Sequence, residues 1–493
     1  MKSNIQYSYL IFIPLYFVLD GNNNFWGEIP VLSSVAIFFI IIAVTLLSRT
    51  VLQKKINEEK TSIIIAWLLF HYLFFKIIKS YFTKLTHITL FEHYLYYLPL
   101  LVLVTIAFLV WVIKQKSLRL CNLFINIVFI VFSTVELIKL TLNCFTYRPS
   151  EISIQKLNFL NYDGNNNPNI YLLIMDEYVG SKTLYEDWQF DNSKFHNELR
   201  KRKFFVAKSP VSNYNRTTYS MLSMLNMGYI NNVSENNINP SREFSACLKQ
   251  IKQNQVQSFF KSKNYNIVNN SWLMDDATTN EKLFLPIKER LLLDKTFGSV
   301  LWQDLICNIP SNQIQKLIKT PLARIDSYNN NMIELTYKSI NIQKSPTFFY
   351  THLHMPHLPF LRNKEGILRN LVTVHNRVDQ RANSNSYLSY FQYVNTTILK
   401  MVDSVLQKDD NPIVILASDH GFRDAVAGNK VFSEFNNFLA IYTPNQNYTG
   451  FNDSTCLVNV FRLLLTNHFG QKLPILKTQM INVNPLLKTY KLQ

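Results

Sequence analysis

Apolar positions along the chain follow two regimes. Up to about residue 145 they form unbroken runs; beyond it they appear as short bursts of strand length between polar stretches. Five of the early runs, approximately 5–19, 30–52, 62–82, 93–113 and 119–143, predict helices able to cross a bilayer, whose ~30 Å core takes about 20 residues. The first, IQYSYLIFIPLYFVL, has the length of a signal sequence, yet no small-residue cleavage site follows it and further apolar runs do. It reads as a retained helix.

Charge in the connections orients the set. Lys2, the 53–60 loop (QKKINEEK) and the 114–119 loop (KQKSLR) are basic, whereas 20–29 (DGNNNFWGEI) has neither Lys nor Arg. Cytoplasmic loops carry the basic excess, so the N-terminus is expected inside and residue 146 onward outside. Lys79 and Lys84 run against this pattern. Within the last run, Glu136 and Lys139 lie three apart and predict an ion pair on one helix face; a lipid-headgroup or proton site is the alternative reading.

The rest of the chain alternates strand and helix patterns. After the turn-rich stretch Asn143 to Asn169 comes Ile170-Tyr-Leu-Leu-Ile-Met175, a continuous apolar run that fits a strand buried on both faces. FDNSKFHNELRKR then reads as a helix and FFVAK as a strand. VQSFFKSKNYNIVNNS gives helix then strand, Thr347–Leu353 a strand, 385–407 a long helix, and Pro412–Ala417 another buried strand. NNFLAIYTP and CLVNVFRLLLTNHF close the series as strand and helix. Such alternation predicts an α/β domain with a mostly parallel sheet and helices on both faces. The expected organisation is a transmembrane helical domain at 1–145, a linker at 146–168 and an extracytoplasmic catalytic domain at 169–493.

Lys and Arg outnumber Asp and Glu by 50 to 33, a formal net charge of +17. The basic residues are scattered and no groove-reading motif is present, so nucleic acid is not expected as a partner. A basic surface suits work beside anionic lipid headgroups. The five cysteines form no CxxC pair, which excludes a cysteine metal site and leaves at most one bridge among Cys247, Cys307 and Cys456.

In parallel sheets, ligands bind at the carboxyl ends of strands. Two acidic clusters sit there: Asp176-Glu177 after the 170–175 strand, and Ser418-Asp419-His420-Gly421 after the 412–417 strand. Carboxylates with an imidazole suit a divalent metal of zinc type, whereas carboxylates alone lean toward calcium or magnesium. A metal activates a hydroxyl nucleophile, and SNYNRTTYSMLSM supplies hydroxyls at Thr217 and Ser220 near a helix start. Three histidines, His352, His354 and His357, follow the TFFYT strand, and at least one is expected to face the anion or metal.

Together these segments resemble the alkaline phosphatase/sulfatase superfamily, in particular its membrane-anchored sulfatase-like branch of phosphoethanolamine transferases and lipoteichoic acid synthase-type phosphoglycerol transferases. PNIYLLIMDEYVG resembles that family's first strand and metal-binding acid, with Asp176 the preferred ligand and Glu177 the alternative. TTYS at 217–220 fits the positions of the sulfatase C-x-P-S and transferase T-A-x-S patterns, which puts the nucleophile at Thr217. Thr stands where sulfatases carry the cysteine that becomes formylglycine, which argues against ordinary sulfate-ester hydrolysis. HMPHLPF resembles the sulfatase PHxP segment and implies that His357 contacts the anion. SDHG matches the metal pair Asp419 and His420. GNK at 428–430 resembles G-x-K and points Lys430 at the transferred group. Ser220, His354 and Arg423 complete the expected set as substrate contacts.

The paired cysteines of the phosphoethanolamine transferases are absent here, as are the ligands for a second zinc. The resemblance therefore implies one divalent metal ion, zinc by preference with manganese, magnesium and calcium as alternatives. It implies transfer of a phospho-headgroup from a phospholipid donor to a glycan or lipid acceptor, through a phospho-threonine. A phosphate- or sulfate-ester hydrolase and a catalytically silent membrane regulator are the rival readings. The expected location is a bacterial inner membrane with the catalytic domain in the periplasm.

Overall fold

The computed structural model describes residues 7–26, 29–146, 152–161, 167–231, 233, 240–273, 288–302, 306, 309–341, 346–371, 374, 384–423 and 430–483. The chain divides into two compact units. One is Met1–Pro149 with Leu285–Asn308; the other is Ser150–Phe284 with Ile309–Gln493.

The first unit is helical: α1 Tyr9–Asn24, α2 Val31–Leu52, α3 Glu58–Leu73, α4 Phe75–Thr86, α5 Tyr94–Lys114 and α6 Arg119–Thr146. Helices α2, α5 and α6 are long and apolar enough to cross a membrane, and α3 with α4 make a fourth candidate if the pair, bent by 81°, counts as one span. Among the described residues, three or four candidate spans thus stand where five were expected. Helix α1 has only 16 residues, about 24 Å of helix at 1.5 Å per residue, and the run expected at 62–82 breaks at Phe74.

Helix α1 is nevertheless well packed, with Tyr9, Leu10, Ile13 and Phe17 buried in a cluster that includes Ile65, Ala66 and Leu73 of α3. Polar contacts fix it to α6: Tyr9 Oη donates to Asn122 at 2.6 Å, and Asn23 donates to the Glu136 carboxylate at 2.7 Å. Lys139 closes on the same Glu136 at 2.6 Å, so the pair legible in sequence belongs to an interhelical brace. Outward positions of α2, α5 and α6, such as Phe39, Leu103 and Phe124, are exposed and apolar. Helices apolar on all sides suit a hydrocarbon surround.

The second unit is built on a six-stranded sheet of order β2-β6-β5-β1-β4-β3, with β1 Asn169–Met175, β2 Phe205–Val206, β3 Asn266–Asn270, β4 Thr347–Leu353, β5 Pro412–Ser418 and β6 Leu439–Tyr442. Strand β1 is central and runs parallel to β4 and β5; β3 is parallel to β4. The edge pair β6 and β2 departs from parallelism, β6 against β5 and β2 against β6. One sheet face buries Tyr171, Leu173, Met175, Phe349, Val414 and Leu416 with Tyr328 and Met332 of the 321–341 helix and Phe391 and Ile398 of the 384–408 helix. Cys247 and Cys456 are buried; Cys307 lies outside the described residues.

Register decides what comes next. Ile174 pairs with His352 and with Ala417. Because side chains alternate along a strand, the residues two places on, Asp176, His354 and Asp419, leave the three central strands side by side.

Candidate metal centre

Asp176 continues the β1 ladder by donating its N–H to Leu353 O at 3.0 Å. At Glu177 the backbone turns into the left-handed region, φ 59°, and the Glu177 N–H donates to Asp419 Oδ1 at 3.0 Å. Asp419 Oδ1 also accepts from the His420 N–H at 2.9 Å. The two strand ends are thus tied through one carboxylate oxygen. Gly421 is needed for this loop, since a Cβ there would sit 2.0 Å from Ser433 O.

The structure brings Asp176, Asp419 and His420 together, all buried, with a ligand atom from each lying within 4.8 Å of the others. His420 Nδ1–H donates to Gly421 O at 2.7 Å, which leaves Nε2 as the lone-pair nitrogen, the arrangement of a metal-ligating histidine. That Nε2 is 3.5 Å from Asp419 Oδ2 and 3.8 Å from Asp176 Oδ1. Both of those carboxylate oxygens are buried with no hydrogen-bond partner. Buried polar atoms are rarely left so, and two orphaned anionic oxygens facing an imidazole lone pair fit a divalent cation.

Electrostatics agree. Burial, then the Asp419 and Glu177 charges, push the Asp176 carboxyl well above its ordinary range. Burial likewise raises Asp419, with the His352 imidazole drawing it back. Burial and the Arg423 charge hold His420 down at about 3, so its imidazole is neutral at physiological pH. Two crowded acids and a neutral imidazole await positive charge.

Thr217 opens the helix Thr217–Asn226 after an extended Arg216. Its Oγ1 is 3.4 Å from His420 Nε2, half-buried at the rim of the group. Ser220, one turn on, is buried and donates to the Asp419 backbone carbonyl at 2.5 Å. One hydroxyl thus stands beside the triad and a second braces it.

The histidines separate into three roles of position. His354 Nδ1 bonds Asp176 Oδ2 at 2.8 Å and its ring stacks near that of His357, centroids 4.4 Å apart. His357 lies 3.5 Å from Glu177 Oε2 and accepts at Nε2 from Arg423 Nη2 at 2.7 Å. A guanidinium can only donate, so the His357 proton is on Nδ1, which bonds Leu358 O at 2.5 Å. His352 is fully buried and paired with Tyr350 Oη at 2.9 Å.

Glu177 parts from its neighbour: its Oε1 accepts from the Arg423 N–H at 3.3 Å and Nε at 3.2 Å. Burial works to raise its pKa, yet the Arg423 guanidinium outweighs it and leaves Glu177 below the ordinary value. Lys430 starts the helix Lys430–Phe435; its side chain, with Gly428 and Asn429, lies outside what is described. The Gly421 carbonyl that fixes the His420 tautomer is a feature motif reading could not supply, because a backbone acceptor carries no sequence mark.

Comparison with known proteins gives three results. The family model described as Sulfatase matches residues 168–434. No curated protein sequence matches the chain. Among solved structures, the C-terminal periplasmic domain of EptC from Escherichia coli in complex with Zn aligns at 13% identity over 64% of this chain and 86% of that one, TM-score 0.39. The putative sulfatase yidJ from Bacteroides fragilis aligns at 13% identity over 64% and 77%, TM-score 0.38. The phosphonate monoester hydrolase of Agrobacterium radiobacter aligns at 11% over 62% and 74%, TM-score 0.36. With more than half of its length matched by the family model, from the first strand of the sheet to the helix at 430–435, the chain belongs to the sulfatase family of enzymes.

Proposed function

We propose that this enzyme transfers a phospho-headgroup, of phosphoethanolamine or phosphoglycerol type, from a membrane phospholipid to a glycan or lipid acceptor. The observation that carries the reading is the Thr217 hydroxyl, 3.4 Å from His420 Nε2 at the edge of the buried acid–imidazole group. A threonine there can hold a phosphoryl group as an ester, and apolar helices on the same chain keep the site beside lipid headgroups.

Asp176, Asp419 and His420, with Thr217, would hold one divalent ion, zinc by preference for the mixed carboxylate–imidazole donors and manganese, magnesium or calcium otherwise. Bound there, the ion would lower the pKa of the Thr217 hydroxyl and offset charge on phosphoryl oxygens. Thr217 Oγ attacks the phosphodiester phosphorus; the bond to the diacylglycerol oxygen breaks, and the hydroxyl proton ends on that leaving alcohol. The acceptor hydroxyl then attacks the phospho-threonine and returns a proton to Thr217. Arg423 and Lys430 would draw the equatorial oxygens of the transferred group, while Glu177 and His357 hold the Arg423 fork in place. In this reading the basic 53–60 and 114–119 loops face the cytoplasm, and residue 146 onward works in the periplasm of a bacterial cell envelope.

The test is intact-mass and peptide mass spectrometry of the purified full chain after incubation with phosphatidylethanolamine and phosphatidylglycerol. A phosphoethanolamine or phosphoglycerol adduct on Thr217, lost in Thr217→Ala, supports the reading and names the donor. Full headgroup transfer by Thr217→Ala would overturn the nucleophile assignment. Headgroup release to water, unchanged by any acceptor, would identify a hydrolase instead.

A further inference from the structure

One helix of the helical unit is far too short to cross a bilayer alone and is sharply bent from the helix before it. Helix α4 has 12 residues, about 18 Å, and leaves α3 through a bend of 81°. Its sequence, FKIIKSYFTKLT, places two apolar faces next to each other. Phe75, Ile78 and Phe82 pack inward: Phe75 against Tyr97 and Phe297, Phe82 against Phe91 and Tyr97, and Ile78 on the α1–α3 cluster. The 285–308 excursion secures this side, with Lys76 bonded to Asp294 at 3.2 Å and the Lys76 N–H to Lys295 O at 3.1 Å.

Beside that packed face runs a ridge of i, i+4, i+8 positions, Ile77, Tyr81 and Leu85, exposed to 36%, 71% and 83%. Ile88 and Leu90, each 46% exposed, extend it beyond the helix end. The polar residues Lys76, Lys79, Ser80, Thr83 and Lys84 fall on the remaining arc when the helix is turned at 100° per residue. Tyr81 and the lysines have the amphipathic build that anchors at headgroup level.

We propose that α4 is an interfacial helix, lying in the plane of the membrane with Ile77, Tyr81 and Leu85 seated at the headgroup–acyl boundary of one leaflet. Its occupant is the bilayer itself: the ridge leads by Thr89–Glu92 into α5, whose outer face is equally apolar. Lys84 then meets phosphates, Lys76 being held by Asp294 and Lys79 by the Glu92 carbonyl, while the ridge meets the first methylenes of the acyl chains. A second arm of the broken span, or a re-entrant segment, would instead carry the ridge toward the bilayer centre.

Depth measurement separates these. The full chain, with Cys121 and Cys144 replaced by Ser and single nitroxide labels at Ile77→Cys, Tyr81→Cys and Leu85→Cys, is reconstituted in phosphatidylcholine–phosphatidylglycerol vesicles. Accessibility to oxygen and to an aqueous nickel chelate gives each label's depth. An interfacial helix puts all three within about 3 Å of one depth, roughly 5–10 Å below the phosphates. A helix running along the normal spreads them over about 12 Å, eight residues of rise, and overturns the proposal. High nickel access at all three, or low access to both reagents, overturns it too, the first by placing the ridge in water and the second by covering it with protein. A Tyr81→Trp chain read through quenching by lipids brominated near the headgroup repeats the test without thiol chemistry: strong quenching is expected, and quenching by acrylamide alone overturns it.

Discussion

Arg423 offers a sharp test of how the site is held. Its guanidinium and backbone N–H converge on Glu177 Oε1, and Glu177 is 3% exposed. Truncation in Arg423→Ala strands that carboxylate among apolar and acidic neighbours, which costs roughly 3–5 kcal/mol. Removing the other partner, in Glu177→Gln, is milder, about 1–2 kcal/mol, because the Arg423 side chain keeps 22% of its surface in water. In the double variant neither charge is stranded, so its loss should fall short of the summed single losses by at least about 2 kcal/mol. For a unit this large, ~2 °C of melting temperature per kcal/mol predicts a drop of about 6–10 °C for Arg423→Ala, with part of it recovered on adding Glu177→Gln. Thermal unfolding of the detergent-solubilised chain, followed by near-ultraviolet circular dichroism with the metal chelated throughout, measures it. The sign of the pH dependence is fixed: Glu177 has a depressed pKa, so the coupling is complete above its ordinary value of 4.5 and fades as pH falls below that. Additive single losses at pH 7, or a coupling that grows on acidification, would refute this account.

Three further outcomes follow from the same geometry. Ser220→Ala removes the donor to the buried Asp419 carbonyl and should cost roughly 1–3 kcal/mol, read as a lowered melting temperature, while a Thr at 220 restores most of it. Chelation should abolish headgroup transfer, and elemental analysis should find one divalent metal per chain in the wild type and well under half of that in Asp419→Ala, since Asp419 carries one of the two orphaned oxygens. His352 is buried, its pKa pulled from 6.5 to about 4 chiefly by burial. The folded state then holds fewer protons than the unfolded one between those values, so stability rises with pH across that window by roughly 3 kcal/mol. In His352→Gln that part of the acid sensitivity, measured by melting temperature from pH 4 to 7, should disappear.

Much of this protein is written in its apolar pattern. The period of the buried runs marked all six strands and several of the helices between them, though not the 321–341 helix, because a strand buried on both faces or a helix facing hydrocarbon must be apolar wherever it is covered. Chain order alone also put Asp176 and Asp419 at strand ends. Which strands adjoin was another matter. Asp176 and Asp419 meet because β5 lies beside β1 in parallel register, a pairing of segments more than two hundred residues apart that no local pattern encodes. The same distance effect parted two adjacent acids: Asp176 faces His420, and the left-handed turn at Glu177 sends its carboxylate to Arg423. The membrane runs show the opposite limit. Hydropathy over 62–82 reads as one span, since composition sums along the chain regardless of direction, and only the packing of Phe75 and Phe82 against the bundle turns the second half aside at Phe74. Sequence determined which residues must be covered; tertiary structure decided what covers them, because burial is a local requirement and its partner is not.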